Sequence, residues 1–128
     1  MIWILALVVL GVLAYEEYAR LAQGVVAGYA RNAGFSGTDL GIAVAIAYAE
    51  SGGNPNAVGD VSIGRSIGLW QIYLPAHPEY TEQELYDPQT NANAAFAIYQ
   101  QSGDTFSAWS TFRQGPNGEP PLYLKFLS

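Results

Sequence analysis

The sequence predicts an all-α protein, and three observations carry that reading. Across residues 16–33, Leu21 and Val25, and again Ala22, Val26 and Tyr29, recur at helical spacings of three and four. Residues 40–51 are helix-forming and apolar on every face. Two further helix starts are written at Thr81 and Asp87, while no alternating strand pattern and no internal repeat occurs.

The first element is hydrophobic. Residues 1–15 carry no charge, and the run Ile2-Trp3-Ile4-Leu5-Ala6-Leu7-Val8-Val9-Leu10 is apolar without a break. As a helix this segment rises about 22 Å, against the roughly 30 Å of a bilayer core. A retained membrane anchor fits if Tyr15 and Tyr18 sit at the interface and the bilayer thins slightly. A signal peptide fits the length, with Val12-Leu13-Ala14 as cleavage site, but no Lys or Arg precedes the apolar run. The third reading is a helix buried in a protein assembly. The expected division is therefore an anchor helix over 1–15, open to continuation into 16–33, and a folded domain over 16–128.

The helix over 16–33 ends at Asn32-Ala33-Gly34. Ser36 or Thr38 caps the next, with Asp39 in its first turn, and its all-round apolar character places it at the centre of the fold. Gly52-Gly53 stops it, and Asn54-Pro55-Asn56 opens an irregular stretch to about His77. Thr81-Glu82-Gln83-Glu84 is a capping-box pattern for one short helix. Asp87-Pro88 starts another that runs to about Gln101. Asp104 is expected to cap residues 106–112, Gly115-Pro116-Asn117-Gly118 to turn, and Pro120-Pro121 to open a last short helix through Leu127.

Composition narrows the function. At 128 residues the chain is one domain, and with half its residues hydrophobic and 12% charged it has a core to bury. Five Lys plus Arg against eleven Asp plus Glu leave a net charge of −6, which excludes a basic stripe for nucleic acid or docking on anionic lipid. There is no Cys, and His77 is the single histidine. Thiol chemistry is thereby excluded, a His-rich metal site is not available, and neither metal nor cofactor is expected. Carboxylates, hydroxyls, amides and aromatics remain; nine Tyr and three Trp suit sugar faces as well as cores.

Glu50 is the residue that calls for explanation. Ten positions upstream of it are almost entirely apolar or Gly, yet the helix closes in a carboxylate. A polar residue ending a helix ordinarily points to water. Here, however, the helix macrodipole disfavours a negative charge at that end, and shielding by Ile46, Ala47 and Tyr48 would raise the pKa further. A carboxylic acid kept protonated near neutral pH is what general-acid cleavage of a glycosidic bond requires. Gly52-Gly53 beside it would let a ligand approach the backbone.

The string Ala49-Glu50-Ser51-Gly52-Gly53-Asn54-Pro55-Asn56-Ala57 resembles the Glu-Ser-x-x-Asn-Pro-x-Ala signature of the lysozyme-like superfamily, in its lytic transglycosylase and phage-type lysozyme branch. Ser66-Ile67-Gly68-Leu69-Trp70-Gln71-Ile72 is similar to that family's Gly-Leu-x-Gln-Ile block. Asp87-Pro88-Gln89-Thr90-Asn91-Ala92-Asn93-Ala94-Ala95, leading to Ile98-Tyr99, resembles the helix that follows it. Trp109-Ser110-Thr111-Phe112 resembles the closing aromatic block of phage members, standing where soluble transglycosylases carry an Ala-Tyr-Asn-Ala-Gly-like stretch. The resemblance spans about residues 33–112, four blocks in order.

It implies a helical domain that cuts peptidoglycan between N-acetylmuramic acid and N-acetylglucosamine, with Glu50 as the catalytic acid. Ser66, Gln71, Tyr99 and Trp109 are its implied substrate-binding candidates. Gln71 would offer its amide to a sugar or brace the cleft, Tyr99 would bond Glu50 or a sugar unless it packs in the core, and Trp109 and Trp70 are open to sugar stacking. Gly68 would allow a sharp chain path, and Leu69 and Ile72 are core. Hydrolysis commonly uses a second carboxylate, for which Asp60 is the candidate; Asp87 is better read as a helix cap, and Asp60 as a turn-former first. A transglycosylase needs only the Glu, so both reaction types stay open. The implied setting is a phage virion or the bacterial periplasm, with membrane or virion proteins as partners of residues 1–15. The alternative is a non-catalytic glycan-binding or structural subunit that keeps the fold.

Overall fold

The computed structural model describes residues 20–128, so the expected anchor segment 1–15 and the first residues of the expected 16–33 helix lie outside the described residues. No helix among the described residues is long and apolar enough to cross a membrane.

The first helix, α1 (Gln23–Ala33), starts later than the periodicity predicts, and residues 20–22 are not helical. Ala22 is extended, at φ −64° and ψ 151°. The cause is tertiary: the Leu21 N–H donates to Gly53 O at 2.8 Å, and the Tyr48 hydroxyl donates to Leu21 O. Both backbone groups of Leu21 are thus committed elsewhere, so the helix that ends at Ala33 does not extend back through Leu21. At the other end Gly34, at φ 131°, closes the helix against Ala30 and Arg31 carbonyls, and a Cβ there would strike the Phe96 ring at 2.6 Å.

Helix α2 (Gly37–Ser51) begins three residues before the predicted start. Ser36 holds the N-cap position through its carbonyl, which accepts from Leu40 N at 3.1 Å, while its side chain makes no capping bond. Residues 43–47 are buried in succession, as an all-round apolar helix requires. Its neighbours are α1 on one side and the 3-10 helices Ser110–Phe112 and Leu122–Phe126 on the other.

The irregular stretch after α2 holds strands, which corrects the expectation of none. Strands β1 (Val58–Gly59), β2 (Ser66–Ile67) and β3 (Ile72–Tyr73) form an antiparallel sheet in the order β1-β2-β3, with Val58 opposite Ile67 and Ser66 opposite Tyr73. Two residues per strand leave no alternation for the sequence to display.

After the sheet, α3 (Glu82–Leu85) is opened by the predicted capping box between Thr81 and Glu84. Asp87 caps α4 (Pro88–Gln101) by accepting from Thr90 N at 2.9 Å. Asn91 on α4 is fully buried and fastens three elements: its Oδ1 accepts from Trp70 N at 2.9 Å, and its Nδ2 donates to Ile67 O at 2.8 Å and Leu85 O at 2.9 Å. Gly68 makes that approach possible, since a Cβ there would lie 2.3 Å from Asn91 Nδ2.

Asp104 does not cap a helix over 106–112. It adopts φ 59° and gives its N–H to Tyr99 O at 3.0 Å, ending α4 instead. The segment beyond it turns by i→i+3 bonds, Trp109 N to Phe106 O and Phe112 N to Trp109 O, both 3.1 Å. That spacing aligns Phe106, Trp109 and Phe112 on one side of the chain, toward the core. The Gly115–Gly118 turn forms with a 3.0 Å bond, and the last helix is 3-10 over Leu122–Phe126.

Candidate active site

Glu50 is the penultimate residue of α2, and Gly52 turns the chain away in the left-handed conformation. Its half-buried carboxyl lines an open groove of about 430 Å³ between the end of α2, the sheet and residues 108–113. Burial pushes the Glu50 carboxyl up to about 7, and the negative charge of Asp60 pushes the same way. Thr111 opposes them: its hydroxyl is buried, close to Glu50, and favours the carboxylate. No hydrogen bond of normal geometry fixes it there, so the opposition is the weakest of the three.

Asp60 faces the same groove and also makes the turn it was read as making. It sits at φ 51°, and its carbonyl accepts from Ile63 N at 3.0 Å and Arg65 N at 2.9 Å. Ser66 lines the groove too, buried on β2, and its hydroxyl donates to Asp60 Oδ2 at 2.7 Å. In this structure Ser66 therefore orients Asp60. Gln71 lines the groove as a brace: its Nε2 donates to Ala57 O at 3.1 Å and Gly68 O at 3.0 Å, tying the two ends of the sheet region together.

The aromatic candidates fare differently. Trp109 reaches the groove wall, but it is 5% exposed and its Nε1 donates to Trp70 O at 2.9 Å, so no open ring face is offered to a sugar. Trp70 is 1% exposed with Nε1 on Ala43 O at 2.9 Å, and is core. Tyr99 does not reach Glu50. Its hydroxyl donates to Asp39, which together with burial pushes its pKa up to about 12, and its ring packs on Phe35, Phe96 and Phe106. The neighbouring Ile98 faces the groove, and one residue further along α4 is a rotation of about 100°, enough to turn Tyr99 into the core.

Gly52-Gly53 does not serve a ligand. A Cβ at Gly53 would meet the Tyr48 ring at 2.8 Å and Leu21 O at 2.9 Å, so the chain itself fills that approach. Leu69 and Ile72 are core, and Asp87 is a cap. Among the described residues no three His, Asp or Glu side chains gather as metal ligands would.

Sequence reasoning missed Thr111, His77, Tyr73 and Arg113. The Tyr73 hydroxyl donates to Ile63 O at 2.6 Å, holding the β1–β2 loop at the groove edge. His77 lines the groove with its Nδ1 3.4 Å from Glu79 Oε1. Only His77 carried a signal, as the single histidine of the chain; the others are side chains whose direction the fold alone decides.

A helical frame, a three-stranded antiparallel sheet and a shielded carboxyl in the groove between them are the build of a lysozyme-like domain. The family model described as "Lysozyme like domain" matches residues 27–111, about two thirds of the chain, and the chain belongs to that family. At the level of the family this connects it with peptidoglycan and the cleavage of its glycosidic bonds. No curated protein and no solved structure matches the chain.

Proposed function

We propose that this protein cleaves the glycan strand of peptidoglycan with Glu50 as general acid. The observation that carries the reading is the Glu50 carboxyl, pushed up to about 7 in a groove that also holds Asp60. At neutral pH such a carboxyl is protonated in a large fraction of molecules and ionised in the rest, as an acid that must later act as base requires.

Glu50 gives its proton to the bridging oxygen between N-acetylmuramic acid and N-acetylglucosamine. The bond from C1 to that oxygen breaks, with the electron pair passing to the oxygen, and positive charge develops at the sugar. Asp60, oriented by Ser66, faces that charge across the groove and stabilises it. Addition at C1 closes the reaction: water gives a reducing end, and the sugar's own C6 hydroxyl gives an anhydro end. In either case Glu50 recovers the proton.

Glu50→Gln keeps the size of the side chain and removes its acidity. Lysis of purified cell walls should fall by about 10³-fold, the scale of a lost general acid. Equal lysis by variant and wild type would remove Glu50 from this role, and lysis by neither would leave a glycan-binding subunit. Mass analysis of the fragments assigns hydrolase or transglycosylase from the anhydro or reducing end. Residues 1–15, apolar and uncharged, are proposed to hold the domain to a membrane or a virion and so to confine cleavage to one place.

A further inference from the structure

Arg113 lines the groove, yet nothing in the catalytic scheme uses it. It is exposed, and no carboxylate among the described residues pairs with it. The other cation near the sheet, Arg65, is committed to Glu82 through Nε at 2.5 Å and Nη2 at 3.2 Å. The Arg113 backbone is nonetheless held firmly. Arg113 N donates to Ser110 O at 3.1 Å, and the preceding Phe112 stacks on Tyr123 at 5.0 Å and packs on Phe106 at 5.6 Å.

The charge of the groove makes this placement meaningful. Asp60 faces into it, the whole chain carries −6, and both repel a ligand that bears a carboxylate. Arg113 is the one permanent cation among the described lining residues, which also include His77, an imidazole that adds charge only when protonated. A planar guanidinium on a fixed backbone, with no carboxylate partner among the described residues, is suited to a carboxylate arriving with the substrate. The two sugars of peptidoglycan differ in that respect: N-acetylmuramic acid carries a lactyl side group ending in a carboxyl, free or extended by a peptide with carboxylates of its own, and N-acetylglucosamine carries none.

Resting on the peptidoglycan reading above, we propose that Arg113 binds the carboxylate of the muramyl side group and so sets which sugar of the strand lies on that side of Glu50. The groove then distinguishes an acidic muramyl strand from a neutral chitin-type glycan by charge, in addition to any fit to the sugar rings.

The test is binding to the full chain carrying Glu50→Gln, so that turnover does not intervene, measured by titration calorimetry. The ligands are the N-acetylglucosaminyl–N-acetylmuramic acid disaccharide, its lactyl carboxamide, the same disaccharide bearing a stem peptide, and neutral diacetylchitobiose. The expected result is about tenfold tighter binding of a carboxylate ligand than of the carboxamide and chitobiose, a margin that shrinks with added salt. The free disaccharide and the peptide-bearing form tell apart a lactyl carboxylate from a peptide one. Adding Arg113→Gln should erase the tenfold margin and leave carboxamide binding unchanged, while Arg113→Lys should keep part of it. An Arg113→Gln variant that weakens all ligands alike, or none, overturns the proposal, as does a wild-type groove indifferent to the carboxylate. If wild-type protein lyses cell walls but shows no such margin, the enzyme reading stands and this one fails. If the margin is present and lysis is not, the reverse holds.

Discussion

At Glu50 three influences act on one proton: burial and Asp60 hold it on, and Thr111 helps it leave. Because the protonated form is the acid, kcat/KM should fall as pH rises through about 7. Asp60→Asn removes a charge that holds the proton, so the alkaline limb should move to lower pH. Thr111→Val removes the opposing hydroxyl, so the limb should move to higher pH; a pH–rate profile that ignores both changes would refute this assignment of causes. Stability follows with a definite sign. The folded pKa lies above the unfolded one, so the penalty for Glu50 is absent in acid, grows between the ordinary glutamate range and about 7, and is complete above it. Glu50→Gln should therefore stabilise the fold at pH 8 by about 2 kcal/mol, allowing for partial solvent screening, and not at pH 4, as urea titrations at the two values would show. The acid itself was legible because a carboxylate after an apolar run is a local anomaly. Between a core and a sugar-facing role, the sequence left Tyr99 and Trp109 open, because whether an aromatic ring meets a sugar or another ring depends on which way its helix or turn is rotated in the fold.

Among the elements, the helices announced themselves and the sheet did not. Thr81 with Glu84, and Asp87 with Thr90, act through bonds three residues long, so their partners are in the sequence beside them. The start of α1 at Gln23 and the three strands depend on partners far along the chain: Gly53 and Tyr48 for Leu21, Ile67 and Tyr73 for the sheet. Asn91 is where the elements meet. Replacing it with Ala leaves Trp70 N, Ile67 O and Leu85 O without their partner in a buried place, and should cost about 3 kcal/mol in denaturant unfolding. Since the same bonds seat the β2–β3 turn that carries Gln71 and backs the groove, Asn91→Ala should also lower lysis in protein that remains folded. An unchanged unfolding midpoint would mean that the neighbouring packing, and not Asn91, positions that turn.

On the scale of the whole molecule, a buried helix ends in the wall of a groove whose other walls come from the sheet and from residues 108–113. The N-terminal segment is proposed to decide where that groove is delivered. In the full chain, Leu7→Asp combined with Val9→Asp should release the protein from the membrane or virion fraction into the soluble one, with cleavage of soluble muropeptide fragments unchanged; retention in the particulate fraction would count against the tether. The sequence by itself determined the helical class, the central place of α2, the caps of α3 and α4, and a carboxylate, Glu50, closing an apolar helix, because each is set by residues within a few positions of one another. Tertiary structure alone decided that Asp60 and Thr111 flank that carboxyl, that Tyr99 turns away from it, and that Arg113 faces the groove with no carboxylate partner among the described residues. Those relations join side chains from 10 to 63 residues from Glu50 along the chain, which local spacing does not encode.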